Sequence, residues 1–462
     1  MGIAPRVGGE QRSCRDDLIL LAAWSILGVG GAITNGEYSA RAVLLVTVGT
    51  ALLLSAVVGG SKAVGLWHRA GTLIALATAV VVATTLPAGY YGTGDPLLVS
   101  RALTLATAVA VFVSWTMGGR HFRLVAYGSI VVMVGAAVAM IVSSPHPRID
   151  VWYSLQAAAR GISHGRNIYT TRWTSGAPGE FSNGFAYLPG SAVLLWPFHA
   201  MLGDVRYGLV AALAVTALLM VRFGHRTFGA VAGCLVLLYP KALFGIEQSW
   251  VDPLILMSVC IMIVAVRHRR RGWAVVAFAV CLTCKQQAWI LLPLAALWKD
   301  FGWRRTLVSA GGALAFIAPW AMTDPRAFYR GAVSYNLFSS AWSHFDSLSL
   351  YAAVLHHGSD PGTMFTVVAT VGAILLCGFR LAGNGFGFCL SAATVEAVFN
   401  LTSKQPYFNE WEFAAGLALM AVAFGEVRRA GTADEPGDLE AVDVSTAGEG
   451  TTKTVGGAVG GD

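Results

Sequence analysis

Charged residues are the scarcest part of this sequence, only 12% of its 462 residues, against about 25% in soluble globular domains. That shortage excludes an ordinary soluble enzyme or binding module. The net charge is +7, yet nothing suggests a nucleic-acid surface, and the surplus suits lysine and arginine beside anionic lipid heads. Cysteine is sparse too. Its seven copies fall mostly inside apolar runs, where a free thiol acts as a small hydrophobe. Cys281 and Cys284 form a C-x-x-C pair, but apolar neighbours favour packing over redox or metal chemistry. The first apolar segment lacks the small-residue cleavage site of a signal peptide and reads as a retained helix. No histidine and acid cluster has metal-ligand spacing, so neither metal nor cofactor is expected.

Hydrophobicity fills the gap: 55% of residues, with a mean hydropathy of +0.62. Apolar segments of roughly 17–25 residues recur, each able to cross a hydrocarbon core about 30 Å thick. Helices and closed barrels alone satisfy their backbone groups in lipid. The expected fold is an all-α integral membrane protein, a polytopic bundle of about 14 spanning or re-entrant helices with a large outer loop.

Five spans, near 17–35, 42–59, 71–88, 102–118 and 124–142, are joined by connections that alternate in basicity. Lys62, His68 and Arg69 share a side with Arg120, His121, Arg123 and the N-terminus. The positive-inside rule makes that side cytoplasmic, so the stretch after the fifth span faces outward. Four apolar segments (188–203, 207–222, 227–240, 252–266) then precede the basic run Arg267-His268-Arg269-Arg270-Arg271, where an odd number of crossings is needed. The short 227–240 segment is expected to be the one that fails to cross. Lys285 lies in the middle of the next apolar stretch, where a straight span would cost about 2.5–3.5 kcal/mol. A hairpin with Lys285, Gln286 and Gln287 at a sunken outward tip avoids this, and keeps Lys299, Arg304, Arg305, Arg380, Arg428 and Arg429 cytoplasmic. The resulting plan has a cytoplasmic N-terminus (1–16), an accessory four-helix region (17–123), a core at 124–429 with outer loop 143–187, and a disordered cytoplasmic tail (430–462). The chain is thus expected to be multi-pass in the plasma membrane, with the lipid bilayer as its first partner.

Loop 143–187 is the most informative segment, because long ordered loops are usually functional. It carries Asp150 just past a span, followed by Tyr153, Arg160, Arg166, Asn167, Tyr169 and Tyr187. The same outer side gathers Glu247, Gln248 and Asp252, then Lys285 and Gln286, then His344 and Asp346. Lys404, Gln405, Tyr407, Asn409 and Glu410 complete it. Ionisable groups near membrane depth are expensive and more often functional than surface ones. Each has a bland reading beside the sharp one. Asp150 would serve as a helix cap as well as a base, Glu247 and Asp252 as arginine partners, Lys285 as a snorkelling cation, and His344 as a structural histidine. Asp95, in a Gly/Pro turn, is a rival external acid.

In order and spacing these pieces resemble the GT-C superfamily of membrane glycosyltransferases, and within it the polyprenol-phosphate-mannose-dependent α-mannosyltransferases of glycosyltransferase family 87. Asp150 stands in the first large outer loop. Gly165-Arg166-Asn167-Ile168-Tyr169 is similar to the family's G-x-N-P-Y pattern, with Ile168 in place of proline. Tyr187-Leu188-Pro189, Tyr239-Pro240, Ile246-Glu247-Gln248, Asp252-Pro253, Lys285-Gln286-Gln287 and Lys404-Gln405-Pro406-Tyr407-Phe408-Asn409 follow. The first 120 or so residues lie outside the resemblance. It implies transfer of a hexose, mannose foremost, from a polyprenyl-phosphate sugar donor to a glycolipid or glycan acceptor outside the membrane, with inversion. Asp150 would be the general base. Lys285 would stabilise the departing phosphate, helped by Arg166 and His344. A transporter or lipid-carrier flippase is the alternative from another class, although no repeat of the KQQ hairpin supports it. A catalytically silent assembly protein, and the same scaffold moving another sugar, also stay open.

Overall fold

The computed structural model describes residues 14–59, 67–118, 121–171, 184–225, 227–338, 345–381 and 383–425. Among them the chain is helical, with one isolated bridge between Glu37 and Ser347 and no strand. Its helices are α1 (Cys14–Ala32), α2 (Ala40–Val58), α3 (Trp67–Thr85), α4 (Gly94–Thr116), α5 (Phe122–Ser143), α6 (Asp150–Ser163) and α7 (Pro189–Leu202). Then come α8 (Arg206–Phe223), α9 (Phe228–Leu237), α10 (Ala242–Glu247), α11 (Asp252–Arg267), α12 (Arg271–Cys284), a 3₁₀ turn (Gln286–Leu291) and α13 (Leu292–Leu297). After α14 (Gly302–Thr323), α15 (Pro325–Phe328) and α16 (Tyr335–Phe338) flank a π-helical turn at Tyr329–Ser334. The last are α17 (Leu350–His356), α18 (Gly362–Leu381), α19 (Gly385–Thr402) and α20 (Phe408–Phe424). Seven of these, α2, α4, α5, α8, α14, α18 and α19, are long and apolar enough to cross a membrane. Shorter apolar helices pack among them.

The described residues form one compact unit. The first helices are packed into it: α1 lies against α2, α3 and α20, and α2 against α19. α20 is the axis of the bundle, with nearly every residue from Trp411 to Phe424 buried. Its first residue, Phe408, meets Gly36 so closely that a Cβ there would stand 2.1 Å from the Phe408 nitrogen. Gly36 also has φ of 83°, a conformation glycine adopts without strain.

Contacts near the helix ends sort the bundle into two ends. One, here the loop end, carries Ser143, Asp150, Glu247 and Lys285. The other carries Arg123, whose guanidinium donates to the Val221 and Arg222 carbonyls, and Arg267, which donates to the Phe424 carbonyl. α8 therefore runs away from the loop end, and α9 returns toward it, where Lys241 donates to Asn35.

α7 behaves differently. Its start lies against Thr283, two residues before Lys285. Just past its end, Asp204 accepts from the Trp152 indole, and Arg206 donates to Ser144 at 3.0 Å. Both ends of α7 thus belong to the loop end. It pairs antiparallel with α6 through Trp196–Ser163 and His199–Gln156 contacts of 2.8 and 2.6 Å. Segment 227–240, expected to fall short, leads from the Ala423 end to the Asn35 end through a helix of only 10 residues, whereas 188–203 keeps both its ends together. The physical reason is the buried Arg206–Asp204 pair at 2.6 Å. It fixes the start of α8 beside Ser144, and no hydropathy profile records such a contact.

The chain reverses at Lys285. α12 ends there, and the 3₁₀ turn and α13 lead back to Trp298, which stacks on Phe388 at the start of α19. α14 then runs parallel to α12, since Ser309 donates to the Val275 carbonyl and Gly312 lies by Ala279. Lys62, Arg120, Arg428, Arg429, most of the outer loop's second half and the 430–462 tail lie outside the described residues.

Candidate functional site

Two groups of polar side chains meet at the loop end. The first centres on Asp150, the opening residue of α6. Its Oδ1 accepts from the Val151 N–H at 2.7 Å, and no lysine or arginine among the described residues pairs with it. The side chain is half-buried, and desolvation raises its carboxyl above the ordinary value of 3.8. Tyr91, Tyr187 and Tyr335 stand close enough for the Asp150 charge to push their phenols further up, after burial has done most of it. Tyr91 and Tyr335 reach about 12.

The second group is a buried network. Lys285 Nζ donates to both oxygens of Asp252, at 3.0 and 3.2 Å, and to Glu410 Oε1 at 2.8 Å. Asn409 donates to Asp252 Oδ2 at 2.7 Å. The other Glu410 oxygen accepts from the Tyr407 N–H, closing a capping box at the start of α20. Behind Lys285, Gln287 donates to Glu396 at 2.6 Å and to Asn400 at 3.2 Å. Asn400 in turn donates to the Glu410 carbonyl. Glu396 is fully buried, and its Oε1 has no hydrogen-bond partner among the described residues. Tyr187 joins the two groups, since it is raised by burial first, then by the charges of Asp150, Asp252 and Glu410.

The expected site residues therefore separate. Asp150, Tyr187, Asp252, Lys285 and Asn409 come together. Lys285 is matched by two carboxylates, so an incoming phosphate has to compete with Glu410 for it. Gln286 donates to the Ala186 and Ala332 carbonyls, which ties the outer loop to the π-turn. Asn167 donates to the Trp320 carbonyl while accepting from the Tyr169 N–H, and the Tyr169 hydroxyl donates to the Tyr187 carbonyl. These three side chains brace backbone. Arg166 is exposed beyond the far end of α6, about 20 Å from Asp150 at 1.5 Å per residue. Helix α6 thus holds the expected helper away from the base.

Glu247 is fully buried and receives three backbone N–H groups, from Tyr90 (2.5 Å), Tyr91 (2.9 Å) and Gly92 (2.7 Å). It is a clamp on the α3–α4 connection. Gln248 is buried one residue later, Lys404 is half-buried in the α19–α20 turn, and Asp95 occupies the first turn of α4. His344 lies outside the described residues.

Tyr91, Tyr335 and Glu396 were not among the expected site residues. Tyr91 and Tyr335 come from connections far from the outer loop in sequence. Glu396, within the apolar run of α19, left the one sequence signal available, an acid inside a span. No group of three or more histidine, cysteine, aspartate or glutamate side chains able to hold a metal occurs among the described residues. Compared with known family models, curated proteins and solved structures, the chain matches none.

Proposed function

We propose that this chain is a membrane glycosyltransferase using a polyprenyl-phosphate sugar, mannose foremost, and a glycolipid or glycan acceptor, with Asp150 as general base. The observation that carries the reading is Asp150 itself: half-buried, held up by desolvation, and free of any cationic partner among the described residues. A carboxylate paired with arginine is a poor base, whereas desolvation raises a carboxylate's affinity for the proton it is to take.

On this reading the acceptor hydroxyl lies against Asp150, and its oxygen attacks C1 of the sugar as Asp150 removes the proton. The C1–O bond to phosphate breaks, and the phosphate leaves toward Lys285, displacing Glu410. Tyr187, between the two groups, lines the sugar's place. The bundle crosses the membrane with Asp150 on the outer side, the shorter helices joining the seven long ones. That orientation follows the positive-inside rule.

The test compares wild type with Asp150→Asn, purified in detergent, for transfer from polyprenol-phosphate-mannose to a short mannoside. Loss of a general base predicts a fall of about a hundredfold or more in a folded variant. Equal rates would refute the assignment.

A second reading is favoured by one observation, the buried polar network that links Lys285 and Glu410, through Asn400 and Gln287, to Glu396 in the interior. Buried ionisable chains also mark ion-coupled carriers. Lipid-linked sugar that crosses liposomes under a pH gradient, without transfer, would select it.

A further inference from the structure

A cleft opens between α3, α4 and the turn joining α9 to α10, away from the Asp150 and Lys285 groups. Its walls are apolar, Ala79, Val82 and Ala83 from α3, Leu86 just past its end and Met133 from α5. Two cations also line it, Arg101 from α4 and Lys241 from the turn. Neither forms an ion pair with a carboxylate among the described residues. Arg101 is exposed, while Lys241 donates to Asn35 and lies 4.6 Å from the Phe244 ring centroid. Glu247, the nearby acid, is occupied by its three backbone donors.

Lys241 has φ of 65°, a left-handed conformation that a non-glycine residue adopts at a cost. The backbone bears that strain while directing a cation into an apolar cleft. The face of α4 around it is apolar and exposed, with Leu98 62% and Val99 48% accessible. The cleft lies at the loop end of α3 and α9.

From this arrangement we infer that the cleft binds an anionic bilayer phospholipid, with Arg101 and Lys241 on its phosphate and Val82, Ala83 and Leu86 against one acyl chain. Charge selects the occupant. Two cations unpaired with acids, at the rim of an apolar groove, match an amphiphile with an anionic head and a thin tail. A neutral lipid leaves Arg101 without a counter-charge, and a soluble anion leaves the apolar wall uncovered. The opening toward bulk bilayer favours a resident phospholipid over a substrate. The inference is independent of the proposed transfer reaction.

Native mass spectrometry of the delipidated full chain, titrated with phosphatidylglycerol, tests it. Wild type should hold one phosphatidylglycerol more tightly than the rest, and more tightly than diacylglycerol, which lacks the phosphate. Arg101→Gln should weaken that binding by about tenfold or more, the scale of one lost charged hydrogen bond. Lys241→Gln added to it should abolish the tight adduct. Ala83→Trp, which fills the cleft with both charges intact, should abolish it too, while Arg69→Gln at the opposite end should not. Arg101 is exposed, so its single variant keeps the test decisive if the double variant fails to fold. Unchanged binding by Arg101→Gln, or equal binding of diacylglycerol, would overturn the assignment. Displacement of phosphatidylglycerol by a tighter-binding polyprenyl monophosphate would overturn it in favour of a carrier-lipid site.

Discussion

Replacing Glu247 with glutamine changes one oxygen for an amide nitrogen and should loosen a loop 155 or more residues away in sequence. In the native chain Oε2 accepts from Tyr90 at 2.5 Å, and Oε1 from Tyr91 at 2.9 Å and Gly92 at 2.7 Å. Glutamine can keep the two bonds at Oε1, but its NH₂ then faces the Tyr90 N–H, donor against donor. If the amide turns over, two bonds are lost. A hydrogen bond to a charged group contributes about 1.5–3 kcal/mol, and the surviving bonds lose their charge assistance. The local cost comes to about 2–4 kcal/mol, an increase of about 30- to 1000-fold in amide exchange at these positions. Hydrogen exchange read by mass spectrometry on a peptide covering residues 88–94 measures it, with peptides from α20 as internal reference. Tyr91 also donates to the Arg148 carbonyl at 2.8 Å, so faster exchange should spread to residues 147–150. Unchanged exchange at Tyr90–Gly92 in a folded variant would refute the clamp.

The Asp150 carboxyl is raised by burial, so ionising it costs the folded state stability. That cost is absent below the ordinary carboxylate value, grows as pH rises toward the raised value, and is complete above it. Asp150→Asn should therefore melt no lower than wild type at pH 7 and lose any advantage in acid, as thermal scans in detergent would report. If Asp150 is the base, wild-type transfer should fall with unit slope as pH drops through that raised value, and a flat acid limb would exclude it. Lys285→Met leaves Asp252 and Glu410 facing each other unpaired, so it should destabilise by about 3–5 kcal/mol. Adding Glu410→Gln should recover part of that loss, and strictly additive effects in a double-mutant cycle would contradict the coupling.

Much of the bundle was legible because lipid imposes a simple rule on composition. The long apolar helices, and the reversal at Lys285, follow from hydrophobic length and from the cost of a lysine within an apolar run. α7 was not legible. It is as apolar as its neighbours, and only the Arg206–Asp204–Ser144 contacts keep both its ends together. The candidate site divided along a similar line. Asp150 and Asp252 were recognisable as acids near span ends, and Lys285 as a cation within an apolar run. Asn167, Tyr169 and Gln286 looked alike in sequence, yet their polar atoms turn to backbone carbonyls. Composition cannot tell a side chain that waits for a ligand from one that satisfies its own loop. Tyr91 was hidden because its position depends on Glu247, a partner 156 residues away.

The packing of α1 along α20 bears on how the protein is made. Gly31 and Gly36, at and just beyond the end of α1, are shaped to receive Phe408, and no other side chain can fill that place until almost the whole chain has left the ribosome. The first of the described helices can pack on α2 and α3 early, but its Gly31–Gly36 seam stays open until Phe408 is made. Nascent chains halted before Phe408 should stay open along that seam and be the natural targets of membrane quality control.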